Sequence, residues 1–126
     1  MVSAVKTEPN RLSDWLFYEE DEVGGYSRDN VKQAANTTLK SGAVVAKDGN
    51  GNIVEFTGAA GAANAAVGIV VNNLSTGATP GTNVIVSRHA RVVPNYLLWK
   101  AGVTDAQKTA ALASLAALSV ITVAQA

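Results

Sequence analysis

The sequence predicts a mainly β domain with one short helix near its C-terminus, preceded by an extended N-terminal arm. Three observations carry this reading. Short apolar, β-prone runs flank Asp48-Gly49-Asn50-Gly51-Asn52, and Asn-Gly between such runs is the strongest short-range hairpin signal. Thr104-Asp105-Ala106-Gln107 places a capping box before an Ala- and Leu-rich stretch. Residues 1–31 show neither pattern: they set aromatic residues beside the acidic run Glu19-Glu20-Asp21-Glu22, with no amphipathic period.

The arm comes first. Trp15, Phe17, Tyr18 and Tyr26 lie in it, and Gly24-Gly25 interrupts any regular element. Wholly disordered segments are polar and poor in aromatics. Acidic residues with embedded aromatics read instead as a segment extended alone and ordered by a partner. The competing reading is that Trp15 and Phe17 pack back on their own body as an N-terminal strand. The expected division is an arm over 1–31 and a compact β-rich domain over 32–126.

The body follows from Leu39. Ala43–Ala46 and Ile53–Phe56 are β-prone and joined by the Asn-Gly turn. Gly58 to Ala66 is a Gly/Ala loop, and Ala66–Val71 is short and apolar enough for a buried strand. Asn72 to Thr82, with Gly77 and Pro80, is predicted as loop. Asn83–Ser87 is a strand expected to continue through Val92-Val93, with Arg88, His89 and Arg91 on its outer face, until Pro94 ends it. Ala111, Leu112, Leu115 and Leu118 form a helical stripe opposite Lys108 and Ser114. Asp105 suits the positive end of that helix. Val120-Ile121-Thr122-Val123 is β-branched and predicts a last strand.

Length and composition bound the function. At 126 residues the chain makes one domain. Its apolar residues are small, with 22 Ala and 17 Val, so seven aromatics supply the bulk. With no Cys and one His, there is no disulfide, thiolate metal site or multi-His zinc site within one chain. The net charge is zero, which argues against direct nucleic-acid binding. The balance is uneven: residues 1–29 carry three basic and seven acidic side chains, net −4, and the rest carry +4. No basic region precedes an apolar run at the N-terminus. The uncharged stretch 109–126 is largely Ala, Ser and Thr, which gains little from a bilayer, so no membrane partner is expected.

The search for chemistry returns little. Asp48–Asn52 superficially resembles a calcium loop, but Ile53 stands where the sixth position needs Gly, and Ala59 where the twelfth needs Glu. Gly58-Ala59-Ala60-Gly61 lacks the Lys-Ser/Thr ending of a phosphate loop. A catalytic His89 would need an orienting carboxylate and a nucleophile, and outside the arm the acidic side chains are Asp48, Glu55 and Asp105, none in a motif with Ser. No catalytic residue, cofactor site or metal site is expected, and the protein is read as not an enzyme. Asn36-Thr37-Thr38 and Asn73-Leu74-Ser75 match glycosylation sequons, which mean nothing without a secretory signal. Tyr96 and Trp99 read either as core packing or as an oligomer contact.

The order of these segments resembles the head decoration proteins of tailed bacteriophages, the family of the phage lambda decoration protein. Tyr26-Ser27-Arg28-Asp29-Asn30-Val31 is similar to the Ser-Arg stretch that closes that family's arm. Leu39–Ala46 is similar to its first leucine-glycine-strand signature, and Ala66-Val67-Gly68-Ile69-Val70 to its Ala-Val-Gly-Ile strand. Val86–Val92 resembles its Val-x-Arg-His-Ala-x-Val segment. Leu97–Thr104 and the Ala/Leu helix resemble its C-terminal block. The likeness spans about residues 26–126. Lys100 departs where the family often has Pro, and Ser119 where it often has Gly.

The resemblance implies a bent β-clip-like ribbon with a partial barrel. It also implies a structural role: a homotrimer on the outer face of the expanded head, cementing it against the pressure of packaged DNA. The major capsid protein and the chain itself would be the partners, and the protein would be made in the host cytoplasm. Within that role the arm is expected to add a strand to the major capsid protein, with Trp15, Phe17, Tyr18, Tyr26 and Arg28 as its contact residues. The alternatives are another virion subunit (tail tube or head–tail joining) or a surface-displayed binding module.

Overall fold

The computed structural model describes residues 15–19, 27–58 and 65–122. In chain order they form β1 (Leu16–Glu19), β2 (Arg28–Gln33), β3 (Thr38–Leu39), β4 (Val44–Lys47), β5 (Ile53–Glu55), β6 (Gly68–Val70), β7 (Leu74–Ser75), β8 (Gly81–Val86) and β9 (Ala90–Val92). A 3₁₀ turn at Pro94–Tyr96, helix α1 (Asp105–Ala117) and β10 (Val120–Thr122) follow. The mainly β class with one helix near the C-terminus is as the sequence predicts. The architecture is a closed five-stranded barrel in the order β2-β5-β4-β6-β8, a three-stranded sheet β1-β9-β10, and a two-stranded flap β3-β7.

Period-two alternation explains how one small barrel serves two cores. Val45, Ile53, Val70 and Ile85 turn inward and meet Leu39 and Ala43. Their neighbours Val44, Ala46, Ile69 and Val86 turn outward, onto a second core completed by Trp15, Phe56, Val92, Ala111 and Leu115. With so many small side chains the strands must pack closely. A Cβ at Gly68 would lie 2.9 Å from the Val86 carbonyl oxygen, so only glycine lets β6 approach β8 there.

The Asn-Gly turn forms as predicted. Asp48 N–H donates to the Asn52 carbonyl at 2.8 Å, and β4 and β5 pair antiparallel from Lys47↔Ile53 to Val45↔Glu55. The capping box is also complete: Thr104 Oγ1 accepts from Gln107 N at 3.1 Å, and Gln107 Oε1 accepts from Thr104 N at 2.9 Å. Of the predicted stripe, Ala111 and Leu115 are buried and Leu112 partly so, but Leu118, at the C-cap, is 41% exposed.

Two local expectations are corrected. The strand from Asn83 does not run through to Val93. It ends at Val86, and the chain turns at His89, whose φ is +49°. Ser27 pins this corner: its hydroxyl donates to the His89 carbonyl at 2.9 Å, and its own carbonyl accepts from Ser87 N–H at 2.9 Å. The chain leaves the barrel here, and β9 joins a different sheet, between β1 (antiparallel) and β10 (parallel). The stretch 72–82 is not all loop. It contains β7, which pairs with β3, and the first two residues of β8.

The flap is held by a buried polar network. Gln33 is fully buried, and its Nε2 donates to the Leu74 carbonyl at 2.9 Å and to Thr37 Oγ1 at 3.1 Å. Asn83 Nδ2 donates to Gln33 Oε1 at 2.9 Å. Among the described residues no buried side-chain polar atom lacks a partner, as a core carrying an internal amide requires.

Candidate functional site

The five arm residues expected to meet a partner fall in different places. Trp15 is 0% exposed and sits in the protein's own outer core. Its indole Nε1 donates to Ser41 Oγ at 3.0 Å, and its carbonyl accepts from Val93 N–H at 2.7 Å. Trp15 therefore packs on its own body, the competing reading that the sequence left open. The reason is packing: an Ala/Val body lacks bulk, and the indole fills the space between β9 and the outer face of the barrel. Phe17 and Tyr18 lie in β1, with Tyr18 opposite Arg91. Tyr26 lies outside the described residues. Arg28 opens β2, opposite Val86, so the barrel begins inside the stretch assigned to the arm.

β1 lies at one side of its sheet, in the order β1-β9-β10. Among the described residues its one ladder is with β9, so its opposite edge is unpaired there. Such an edge offers a row of main-chain donors and acceptors to another strand. β10 is the other edge, and it carries Ile121, 49% exposed.

At one end of the barrel Val31, Val67 and Ile85 floor an open cleft of about 300 Å³. Its rim carries Asp29, Lys47 and Arg88. The Arg88 guanidinium and the Ser87 hydroxyl both donate to Asp29 Oδ2. The hydrogen bond from Arg88 holds the Asp29 carboxyl below its ordinary range; partial burial opposes this, and Ser87 and the charges of Arg88 and Lys47 add to it. No local pattern announces this pair, because 59 positions separate its members.

A second cleft, of about 280 Å³, runs between Leu39 and Leu98 and includes Trp99. Trp99 stands edge-on to Phe56 at 6.2 Å and under the Lys108 ammonium at 5.9 Å. Its ring is thus largely committed to intramolecular packing, while Tyr96 and Leu98 are 39% and 36% exposed. Among the described residues no group of three or more His, Cys, Asp or Glu could hold a metal ion, and no helix is long and apolar enough to cross a membrane.

A small closed barrel beside a sheet whose edge strand β1 is unpaired among the described residues presents main-chain groups suited to contact with another protein. The family model described as bacteriophage lambda head decoration protein D matches residues 5–120, and the chain belongs to that family. The family gives it a capsid decoration role, a place on the virion capsid, and the phage capsid as its binding partner. No curated protein matches this sequence.

Proposed function

We propose that this protein cements an expanded phage head from outside. It binds as a homotrimer, reaches the major capsid protein through its N-terminal arm, and stabilises the shell against the pressure of packaged DNA. The protein is made in the host cytoplasm, acts without a cofactor or direct contact with nucleic acid, and is not an enzyme. The family match supports the shell as its station.

The observation that carries the arm mechanism is the position of β1 at the edge of its sheet. An added capsid strand gains main-chain hydrogen bonds along such an edge, and the side chains around it select the partner. Because Trp15 is committed to the body, we assign the reaching role to residues 1–14, with Phe17, Tyr18, Tyr26 and Arg28 as further contacts to the capsid. The acidic run Glu19–Glu22 steers this region toward basic surface. Three arms acting together raise avidity over a single arm by roughly 10²–10⁴-fold.

The test is co-sedimentation with matched, undecorated, expanded shells. The full-length protein is compared with a version lacking residues 2–14, which leaves Trp15 and β1 in place. The full-length protein is expected to pellet saturably and the truncated one far less. Equal pelleting of both would remove the arm from the mechanism. If neither pelleted, the cementing role would fall and a tail component would become the better reading.

A further inference from the structure

The turn from Asp48 to Asn52 places an exposed Asn-Gly pair at the tip of a hairpin. The geometry points to Asn50 as a spontaneous modification site. Its side-chain amide converts to a carboxylate through a cyclic imide formed with the nitrogen of Gly51, at a rate set by the hydrogen bonds of the turn.

The step balances without a cofactor. The main-chain nitrogen of Gly51 attacks Cγ of Asn50 and a five-membered imide ring closes. The bond from Cγ to Nδ2 breaks and ammonia leaves, carrying away the proton from Gly51 N–H. Water then adds to either imide carbonyl. One opening gives an aspartyl residue at position 50, the other an isoaspartyl residue whose main chain is one atom longer.

Four observations select Asn50. It is the one asparagine in the sequence followed by glycine, so no side chain shields the attacking nitrogen. It is exposed, and its side-chain amide makes no hydrogen bond among the described residues. A Cβ built on Gly51 meets nothing within 4 Å, which leaves room for the ring to close. Asn30, Asn36, Asn72 and Asn73 are exposed as well, but each precedes a residue whose side chain shields the next nitrogen: Val31, Thr37, Asn73 and Leu74. Asn52 precedes the fully buried Ile53, Asn36 precedes a β-branched Thr37 whose N–H is held by Thr76 Oγ1 at 3.0 Å, and Asn83 is buried with its amide engaged on both sides. Asp48 also precedes a glycine, but its carboxylate is tied by the N–H groups of Asn50 at 2.8 Å and Asn52 at 3.0 Å.

The same turn supplies the brake. Gly51 N–H donates to the Asp48 carbonyl at 3.1 Å. The nitrogen must release that bond and lose its proton before it can attack, so reaction waits on local opening of the turn. Once modified, the hairpin tip gains a negative charge on a protein whose net charge is zero. The isoaspartyl product also lengthens the connection that fixes the Lys47↔Ile53 register of the barrel.

The test incubates the full-length folded protein, its Asp48→Ala variant and a free peptide of residues 47–55 in warm, mildly alkaline buffer. Modification is followed by residue-level mass spectrometry with an isoaspartyl assay. In the folded protein the mass change of amide loss is expected at Asn50 before any other asparagine, with isoaspartyl product present. The free peptide is expected to convert fastest, and folded Asp48→Ala at an intermediate rate. Conversion at another asparagine first, or none at Asn50 in the peptide, would overturn the site. Equal rates in the peptide and the folded wild type would overturn the control by the turn, whether or not Asp48→Ala folds.

Discussion

Trp15→Ala distinguishes a residue that belongs to the body from one that waits for a partner. The indole is 0% exposed and lies in the core with Val44, Phe56 and Val92. Truncating a buried aromatic of this kind costs about 3–5 kcal/mol, from lost transfer energy and the cavity left behind. Loss of the bond to Ser41 Oγ is part of that cost, at roughly 1 kcal/mol. A waiting arm residue would change stability by less than about 0.5 kcal/mol. The expected loss of about 4 kcal/mol corresponds to a fall in Tm on the order of 10 °C or more for a protein of this length. Urea unfolding followed by far-UV circular dichroism reads it without relying on tryptophan emission. If the alanine variant does not fold, Trp15→Phe keeps most of the ring volume and is expected to cost roughly 1–3 kcal/mol. An alanine variant that unfolds within about 1 kcal/mol of wild type, with an unchanged m-value, would refute the burial argument.

Gln33→Leu removes the Gln33 amide from the Leu74 carbonyl and from Asn83 Nδ2, which keeps its bond to the Asn72 carbonyl; it should cost about 2 kcal/mol, with hydrogen exchange accelerating first in β3 and β7. Because the folded carboxyl of Asp29 is held below its ordinary value of 3.8, its contribution is present above that value and lost as pH falls through the lower folded value. Arg88→Met should therefore narrow the gap between urea midpoints measured at neutral pH and near pH 3. The effect stays under about 1 kcal/mol because the pair is partly exposed, and an unchanged gap would contradict the linkage. Ser119 has φ +65°, so Ser119→Gly removes left-handed strain and should raise stability by about 0.5–1 kcal/mol, visible as a higher Tm. Thr104→Ala should cost about 1 kcal/mol, detected as a fall in the urea midpoint.

What is legible in the sequence is local. The Asp48–Asn52 hairpin and the Thr104 capping box each lie within a few residues, and both form as predicted. Ser119 also follows this rule: it sits where the resemblance suggests glycine, and the backbone there adopts the conformation glycine prefers. The features that sequence reasoning misses depend on distant residues. The corner at His89 has no Gly or Pro to announce it, and it is pinned by Ser27, 62 positions away. β7 is two residues long and is held by Gln33 from 41 positions away. β2 reads Arg-Asp-Asn-Val-Lys-Gln, with little apolar alternation, yet all six residues pair with β8. Trp15 reads as a binding residue because its neighbours are acidic. Its burial depends on Ser41 and the outer core, which local composition does not reveal.

The seat of Trp15 also has a mechanical meaning. If the proposed arm binds the capsid, tension along it meets the described fold at this residue, immediately before the first β1 rung at Leu16↔Val92. The indole acts like the knot behind a rope's eyelet: a bulky group must leave a filled core before the ladder behind it can be peeled. Resistance to such a pull is governed by the rate of leaving, not by the equilibrium between folded and unfolded states. A tether ending in a buried tryptophan can therefore hold for long periods even in a domain of modest stability.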